Sequence, residues 1–273
     1  MRPKTPQRGF TLVELVMVIV IMGVIGGIVA VFMKSPIDAY FDSARRAALT
    51  DVADTAVRRM ARDIRKALPN SILNPNNQCL EFIPTKTGGR YRADETSAGL
   101  SFTTADDSFN MLGSNSALPA DQRIASGDVI VVYNLGIPDS DAYQLTGKVN
   151  RAVVGGTGPL GEIGPPIETI IPIASTLFPL PSGSNRFHVI PNGENVVAYV
   201  CSGPNLRRTV RAFADASCPT TGTILATNVA SCNFVYNGSD LQRNALVQLS
   251  ITFTDSSGES VSLYHEVHVN NTP

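Results

Sequence analysis

The sequence predicts an α+β protein in which a long N-terminal helix packs on an antiparallel β-sheet head. Residues 15–33 carry no charged side chain, and residues 37–68 place apolar side chains at three- and four-residue steps. Residues 70–273 consist of short runs of strand-forming residues separated by turn signals. At 273 residues and 43% hydrophobic composition, the chain is long enough to bury a sizeable core.

The apolar run of residues 15–33 has the length of a helix that crosses the hydrocarbon core of a bilayer, about 30 Å. Arg2, Lys4 and Arg8 precede it, so the positive-inside rule keeps the N-terminus in the cytoplasm and sends the rest across the membrane. A cleaved secretory signal is the alternative, but its apolar stretch is shorter and ends in an A-x-A site. We therefore expect a transmembrane segment at about residues 10–33, with membrane lipid as its partner.

Glu14 places a carboxylate at the start of this apolar segment. A charge near the end of a membrane helix costs roughly 2–3 kcal/mol, so such residues are usually paired or functional. No basic residue lies nearby on the apolar side. The carboxylate therefore reaches the lipid headgroups or meets a cation from another chain, and a plain single-pass anchor is the simpler alternative.

The second part of the predicted helix is amphipathic and ends before Pro69. Pro36 either occupies a first helical turn or kinks a continuous helix. The polar face is rich in arginine, but aspartates interrupt it, which is typical of a solvated face. The net charge of -1 and the lack of tryptophan also argue against nucleic acid as a partner.

The rest of the chain predicts antiparallel strands. The candidate strands are residues 80–83, 128–135, 167–173, 187–190, 196–201, 206–213, 224–229, 234–236, 245–254 and 260–269. The turn signals at residues 202–205 and 255–258 predict hairpins. Residues 155–181 are rich in glycine and proline and predict a surface loop.

All four cysteines, Cys79, Cys201, Cys218 and Cys232, follow the predicted membrane segment. They would lie in an oxidising compartment, where two disulfides with three possible connectivities are expected. A zinc site is the alternative, but the chain has no C-x-x-C pair. We predict neither a metal nor a cofactor.

Catalytic motifs are missing from the sequence. It has no H-E-x-x-H, P-loop, G-x-S-x-G or dinucleotide fingerprint, so no enzymatic activity is predicted, although a triad assembled only in space stays open. His188, His265 and His268 lie in candidate strands, where the last two would point to opposite faces. Residues 106–107 and 139–141 hold clustered aspartates that fit either calcium binding or polar loop tips.

The string Arg8-Gly9-Phe10-Thr11-Leu12-Val13-Glu14-Leu15 resembles the type III signal of type IV prepilins. The resemblance implies that a prepilin peptidase cuts between Gly9 and Phe10 and that the new N-terminal Phe10 is methylated. It also implies that Glu14 meets the free amine of a neighbouring subunit. A buried charge is tolerable in an assembly that supplies its counter-ion.

The same resemblance implies three segments: a leader peptide at residues 1–9, a pilin helix at 10–68 and an extracytoplasmic head at 69–273. Residues 67–72 and 79–84 resemble the MshO-type biogenesis proteins of mannose-sensitive haemagglutinin (MSHA) pili, which are related to J-type pseudopilins and W-type minor pilins. Short matches at residues 199–201 and 206–208 are similar to the same group.

This resemblance implies a low-copy subunit that helps to start pilus assembly. Its partners would be other minor pilins, major pilins and the inner-membrane assembly platform. The protein would sit in the inner membrane with its head in the periplasm and later in the pilus near the tip, beneath a tip subunit because Glu14 is retained. A minor pseudopilin of type II secretion, a tip adhesin and an anchored periplasmic enzyme are the alternatives.

Overall fold

A computed structural model of the chain describes residues 9–93, 98–156, 158–237 and 244–273. Within these ranges it contains one long helix, α1 (Leu12–Ile64), and a series of strands that pair antiparallel. The chain forms two compact units, Met1–Ala48 and Leu49–Pro273. The predicted α+β class is confirmed, although the strands form four sheets rather than one.

In the first unit the described residues are almost entirely helical. Helix α1 begins at Leu12 and continues through Pro36, so this proline neither starts nor stops the helix. The described apolar side chains of this unit, from Phe10 onward, are exposed. Of the helices in the described part of the chain, α1 alone is long and apolar enough to cross a membrane.

In the second unit, α1 buries one face of its remaining turns. The buried residues recur at three- and four-residue steps: Leu49, Ala53, Ala56, Val57, Met60, Ala61 and Ile64. The helix ends at Ile64, before the predicted end at Leu68, because the chain there pairs with the sheet. Ala67 bridges to Pro84, and the Leu68 N–H donates to the Ile83 carbonyl at 2.8 Å.

The four sheets are built from fifteen strands within the described ranges. The strands are β1 (Leu73–Asn76), β2 (Cys79–Phe82), β3 (Thr87–Arg90), β4 (Asp106–Leu112), β5 (Val129–Val132), β6 (Arg151–Val153), β7 (Gly161–Ile163), β8 (Glu168–Thr176), β9 (Arg186–Ile190), β10 (Val196–Ser202), β11 (Asn205–Arg211), β12 (Thr223–Ala226), β13 (Val229–Asn237), β14 (Asn244–Thr254) and β15 (Ser260–Asn270). The sheet orders are β1-β2-β10-β11-β12, β13-β14-β15, β3-β9-β5-β6 and β4-β8-β7.

Both predicted hairpins are present. Ser202 lies opposite Asn205 at the turn between β10 and β11, and Thr254 lies opposite Ser260 between β14 and β15. The predicted run 224–229 is wrong as a single strand, since Asn228 has a left-handed φ of 61° and separates β12 from β13. The predicted loop at 155–181 contains β7 and β8, so it is more regular than expected.

Two main hydrophobic clusters fill the second unit. The first joins the buried face of α1 to β2, β10 and the β13-β14-β15 sheet, and Met60, Leu249 and Val267 are among its members. The second lies between the β3-β9-β5-β6 and β4-β8-β7 sheets, where the rings of Phe109 and Phe187 meet edge to face at 5.3 Å between centroids. The chain between β2 and β10 therefore builds a core of its own.

Asp63, in the last turn of α1, ties the helix to two strands. Its Oδ2 accepts bonds from the Tyr199 hydroxyl at 2.6 Å and from Arg208 Nε at 3.0 Å. Arg208 also holds Glu194 through two bonds of 3.0 and 2.9 Å. Burial raises the pKa of Tyr199, and the negative Asp63 raises it further. These contacts fix the end of α1 on β10 and β11.

The lowered pKa of His188, on β9, predicts that the protein loses stability in mild acid. Burial, assisted by the charge of Arg186, lowers the pKa of His188 to about 4. Between about pH 6.5 and pH 4 the unfolded chain binds a proton that the folded chain does not, so stability falls as the pH falls. We expect His188→Gln to remove roughly 2–3 kcal/mol of this acid destabilisation by pH 4, measured by urea unfolding at several pH values.

The same substitution at the exposed His268 provides the matched control. A His188→Gln profile that follows the wild type through this range would show that His188 is freely protonated in the folded protein.

Candidate functional site: the N-terminal motif

The start of α1 is closed by a reciprocal pair of side chains. The Glu14 carboxylate accepts bonds from the Thr11 backbone N–H at 2.9 Å and from the Thr11 hydroxyl at 3.0 Å. In return, the Glu14 N–H donates to Thr11 Oγ1 at 3.3 Å. This is a capping box, which satisfies N–H groups that have no partner inside the helix. Sequence analysis missed it, although the spacing Thr-x-x-Glu before an apolar run is its signature.

Gly9 and Phe10 lie just outside the helix and are exposed. The Phe10 side chain is 88% accessible. Among the described residues, apart from the chain neighbours of Gly9, no heavy atom lies within 4 Å of the position that a Cβ on Gly9 would take. The peptide bond between Gly9 and Phe10 therefore lies outside α1, between two exposed residues.

The helix that follows presents an uninterrupted apolar surface. A shallow groove of about 390 Å³ lies along it where Gly23 and Gly27 leave space beside Val31 and Phe32. Glycines at this spacing let another apolar helix approach closely. Glu14 precedes this groove along the same continuous helix.

The four cysteines form two disulfides in the second unit, as the sequence predicted. Cys79 pairs with Cys218 and Cys201 pairs with Cys232. No cysteine is left free, so the alternative of a zinc site lacks thiolate ligands.

A buried ion pair lies next to the first disulfide. Glu81 is fully buried, and its carboxylate accepts bonds from Arg211 Nε at 3.1 Å and Nη2 at 2.8 Å. The same carboxylate accepts the Cys218 N–H at 2.6 Å and the Ser217 hydroxyl at 2.8 Å. Burial raises the pKa of Glu81, but these donors outweigh it, and the net pKa is lowered. The ionised Glu81 therefore holds the Cys218 segment against β2.

The remaining candidate residues do not assemble into a site. His265 is half-buried while His268 is exposed, so they point to opposite faces of β15 as predicted. Asp106 and Asp141 each accept a local backbone N–H, from Ser101 and Tyr143. Across the described ranges, the one group of three metal-ligating side chains is Cys79, Glu81 and Cys218, whose sulfurs are bonded to each other.

Residues 4–30 match the family model of the prokaryotic N-terminal methylation motif. No curated protein and no solved structure matches the chain. A methylation motif that leads directly into an exposed apolar helix is the arrangement of type IV prepilin-like proteins. Over residues 4–30 the chain is similar to this class.

This class has consequences for processing and location. The motif implies cleavage by a prepilin peptidase and assembly with pilins. Helix α1 is consistent with a prepilin held in the inner membrane with its head in the periplasm. Proteins of this class are pilins and pseudopilins, which are typically structural rather than enzymatic.

Proposed function

We propose that the protein is a minor pilin that takes part in the initiation and assembly of a type IV pilus of the MSHA type. The methylation motif at residues 4–30 carries the proposal. The head supports it, because two cores and two disulfides make a bulky unit that limits how many copies can stack in one filament. The protein acts as a structural subunit without cofactor or catalytic residue.

Three segments follow from this proposal. Residues 1–9 are the leader, residues 10–68 are the pilin helix and residues 69–273 are the head. Prepilin peptidase cuts between Gly9 and Phe10, and Phe10 is then methylated. Minor and major pilins and the inner-membrane platform are the partners in assembly.

Glu14 is the proposed docking residue. Within one chain its Oε2 is held by Thr11. Next to a neighbouring subunit, the carboxylate meets the amine of the neighbour's mature N-terminus, which neutralises a charge that is costly in an apolar setting. The capping box holds the carboxylate in place before the neighbour arrives.

The mass of the N-terminal peptide, recovered from membranes with and without the prepilin peptidase, tests the processing step. We expect a chain that starts at methylated Phe10 when the peptidase is present and at Met1 when it is absent. Gly9→Val should leave the leader uncut, because a branched side chain fills the open space beside the scissile bond. A chain that still starts at Met1 in the presence of an active peptidase would contradict the proposal.

Glu14→Ala separates processing from docking. We expect the variant to be cut normally but to be missing from sheared filaments. Asp121→Ala removes an exposed carboxylate of the head and should enter filaments like the wild type. Normal incorporation of Glu14→Ala would remove Glu14 from the docking role.

The methylation motif is equally compatible with a minor pseudopilin of type II secretion, and the long head is compatible with a tip adhesin. Deletion of the gene distinguishes the three. Loss of pili supports the minor pilin, loss of protein secretion with normal pili supports the pseudopilin, and normal pili without attachment support the adhesin.

A further inference from the structure

Strand β15 forms an open edge of the β13-β14-β15 sheet. It pairs with β14 along all 11 residues without a register shift. Among the described residues, no backbone hydrogen bond reaches its other edge. The strand also lacks the proline, lysine and bulge that commonly protect an edge. Such an edge exposes a row of N–H and C=O groups that can pair with another strand.

A positively charged groove of about 680 Å³ lies beside this edge. Helix α1 lines one side of it, and His265 of β15 lines the other. Arg58 is engaged by Asp54, since Arg58 Nε donates to Asp54 Oδ2 at 2.6 Å. Arg62 and Arg65 also line the groove, and neither has an acidic partner in the described part of the chain. The groove therefore carries an uncompensated positive charge.

We propose that β15 and this arginine groove together bind an extended acidic segment of another protein chain, which adds to the sheet as a fourth strand. The backbone of the segment pairs with the open edge of β15, and its carboxylates face Arg62 and Arg65. His265 offers a further hydrogen-bond donor. Main-chain pairing supplies affinity in this mode, and side chains at alternate positions supply specificity.

The two features together select a peptide over other anions. A lipid headgroup or a nucleic acid can neutralise arginines, but neither can pair with a row of strand N–H and C=O groups. The proposal adds a partner surface on the head to the docking of the N-terminal helix, and it holds in a pilus and in a secretion system alike.

Binding of a labelled acidic peptide to the full chain in detergent micelles tests the proposal. The probe is fluorescein-Thr-Glu-Val-Glu-Val-Glu-Val-Thr, followed by fluorescence anisotropy. We expect saturable binding that Arg62→Gln/Arg65→Gln weakens about tenfold or more, because two charge-assisted contacts are lost. The matched control is Arg90→Gln/Arg186→Gln, which removes the same charge from two exposed arginines that face each other across β3 and β9. It should bind like the wild type.

A second peptide, N-methylated at every internal residue, tests the strand pairing. We expect it to lose binding, because methylation blocks backbone donors while it keeps every carboxylate. Equal weakening by both double variants would overturn the proposal, since general charge would then explain binding. Full binding of the N-methylated peptide would also overturn the proposal. Displacement of the bound peptide by phosphatidylglycerol in mixed micelles would do the same. Either result would leave a generic anion-binding surface.

Discussion

Replacing Cys79 and Cys218 with alanine should lower the free energy of unfolding of the second unit by roughly 5 kcal/mol. The disulfide joins residues 139 positions apart, so its loss returns a large loop-closure entropy to the unfolded chain. Urea unfolding of the full chain in detergent, followed by tyrosine fluorescence, measures the change. We expect the variant to unfold at markedly lower urea.

The second disulfide provides the matched comparison. Cys201 and Cys232 are separated by 31 positions, so Cys201→Ala/Cys232→Ala should cost roughly 4 kcal/mol, less than the first pair. The reverse order would show that native contacts around each bridge, rather than loop closure, set its contribution.

Replacing Glu81 with glutamine should destabilise the second unit by about 3–5 kcal/mol, because Arg211 is then left as a buried charge without its counter-ion. The Glu81 and Arg211 side chains are 0% and 7% exposed, so water cannot take over the role of the carboxylate. The same urea measurement applies. Glu266→Gln, on an exposed carboxylate, should change stability by less than about 0.5 kcal/mol.

The loss of stability from removing the Cys79–Cys218 disulfide and the loss from Glu81→Gln should not be independent. Glu81 accepts the Cys218 N–H, so the carboxylate and the disulfide restrain the same segment. A chain that combines all three substitutions should therefore lose less stability than the sum of the separate losses. Strict additivity would mean that the ion pair and the disulfide act independently.

Elements whose sequence pattern is local could be predicted from the sequence alone. The helical periodicity before Pro69 predicted α1, and the apolar run at residues 196–201 predicted β10 (Val196–Ser202). Strands β3 and β7 were missed because they are short and contain glycine, and they are stable only through their neighbours β9 and β8. The division into four sheets depends on such pairings, which leave no periodic signal in the sequence.

The residues of the candidate site and of the buried ion pair also differ in how far the sequence predicted them. Gly9, Phe10 and Glu14 belong to one short motif that is visible in the sequence. The spacing of Thr11 and Glu14 in the capping box is visible in the sequence too, although it was not predicted. The pairing of Cys79 with Cys218 was not visible, because it depends on where the fold brings distant segments together. The partnership of Glu81 with Arg211 depends on the same tertiary contacts.

The composition of the first hydrophobic cluster also bears on how the chain is made. The face of α1 that holds Met60 and Ile64 is covered by residues such as Leu249 and Val267, which belong to the last strands along the sequence. A ribosome therefore completes the helix long before it makes the surface that covers it. Until β14 and β15 emerge, the partners that cover this face are missing, and its apolar side chains stay open to other apolar segments.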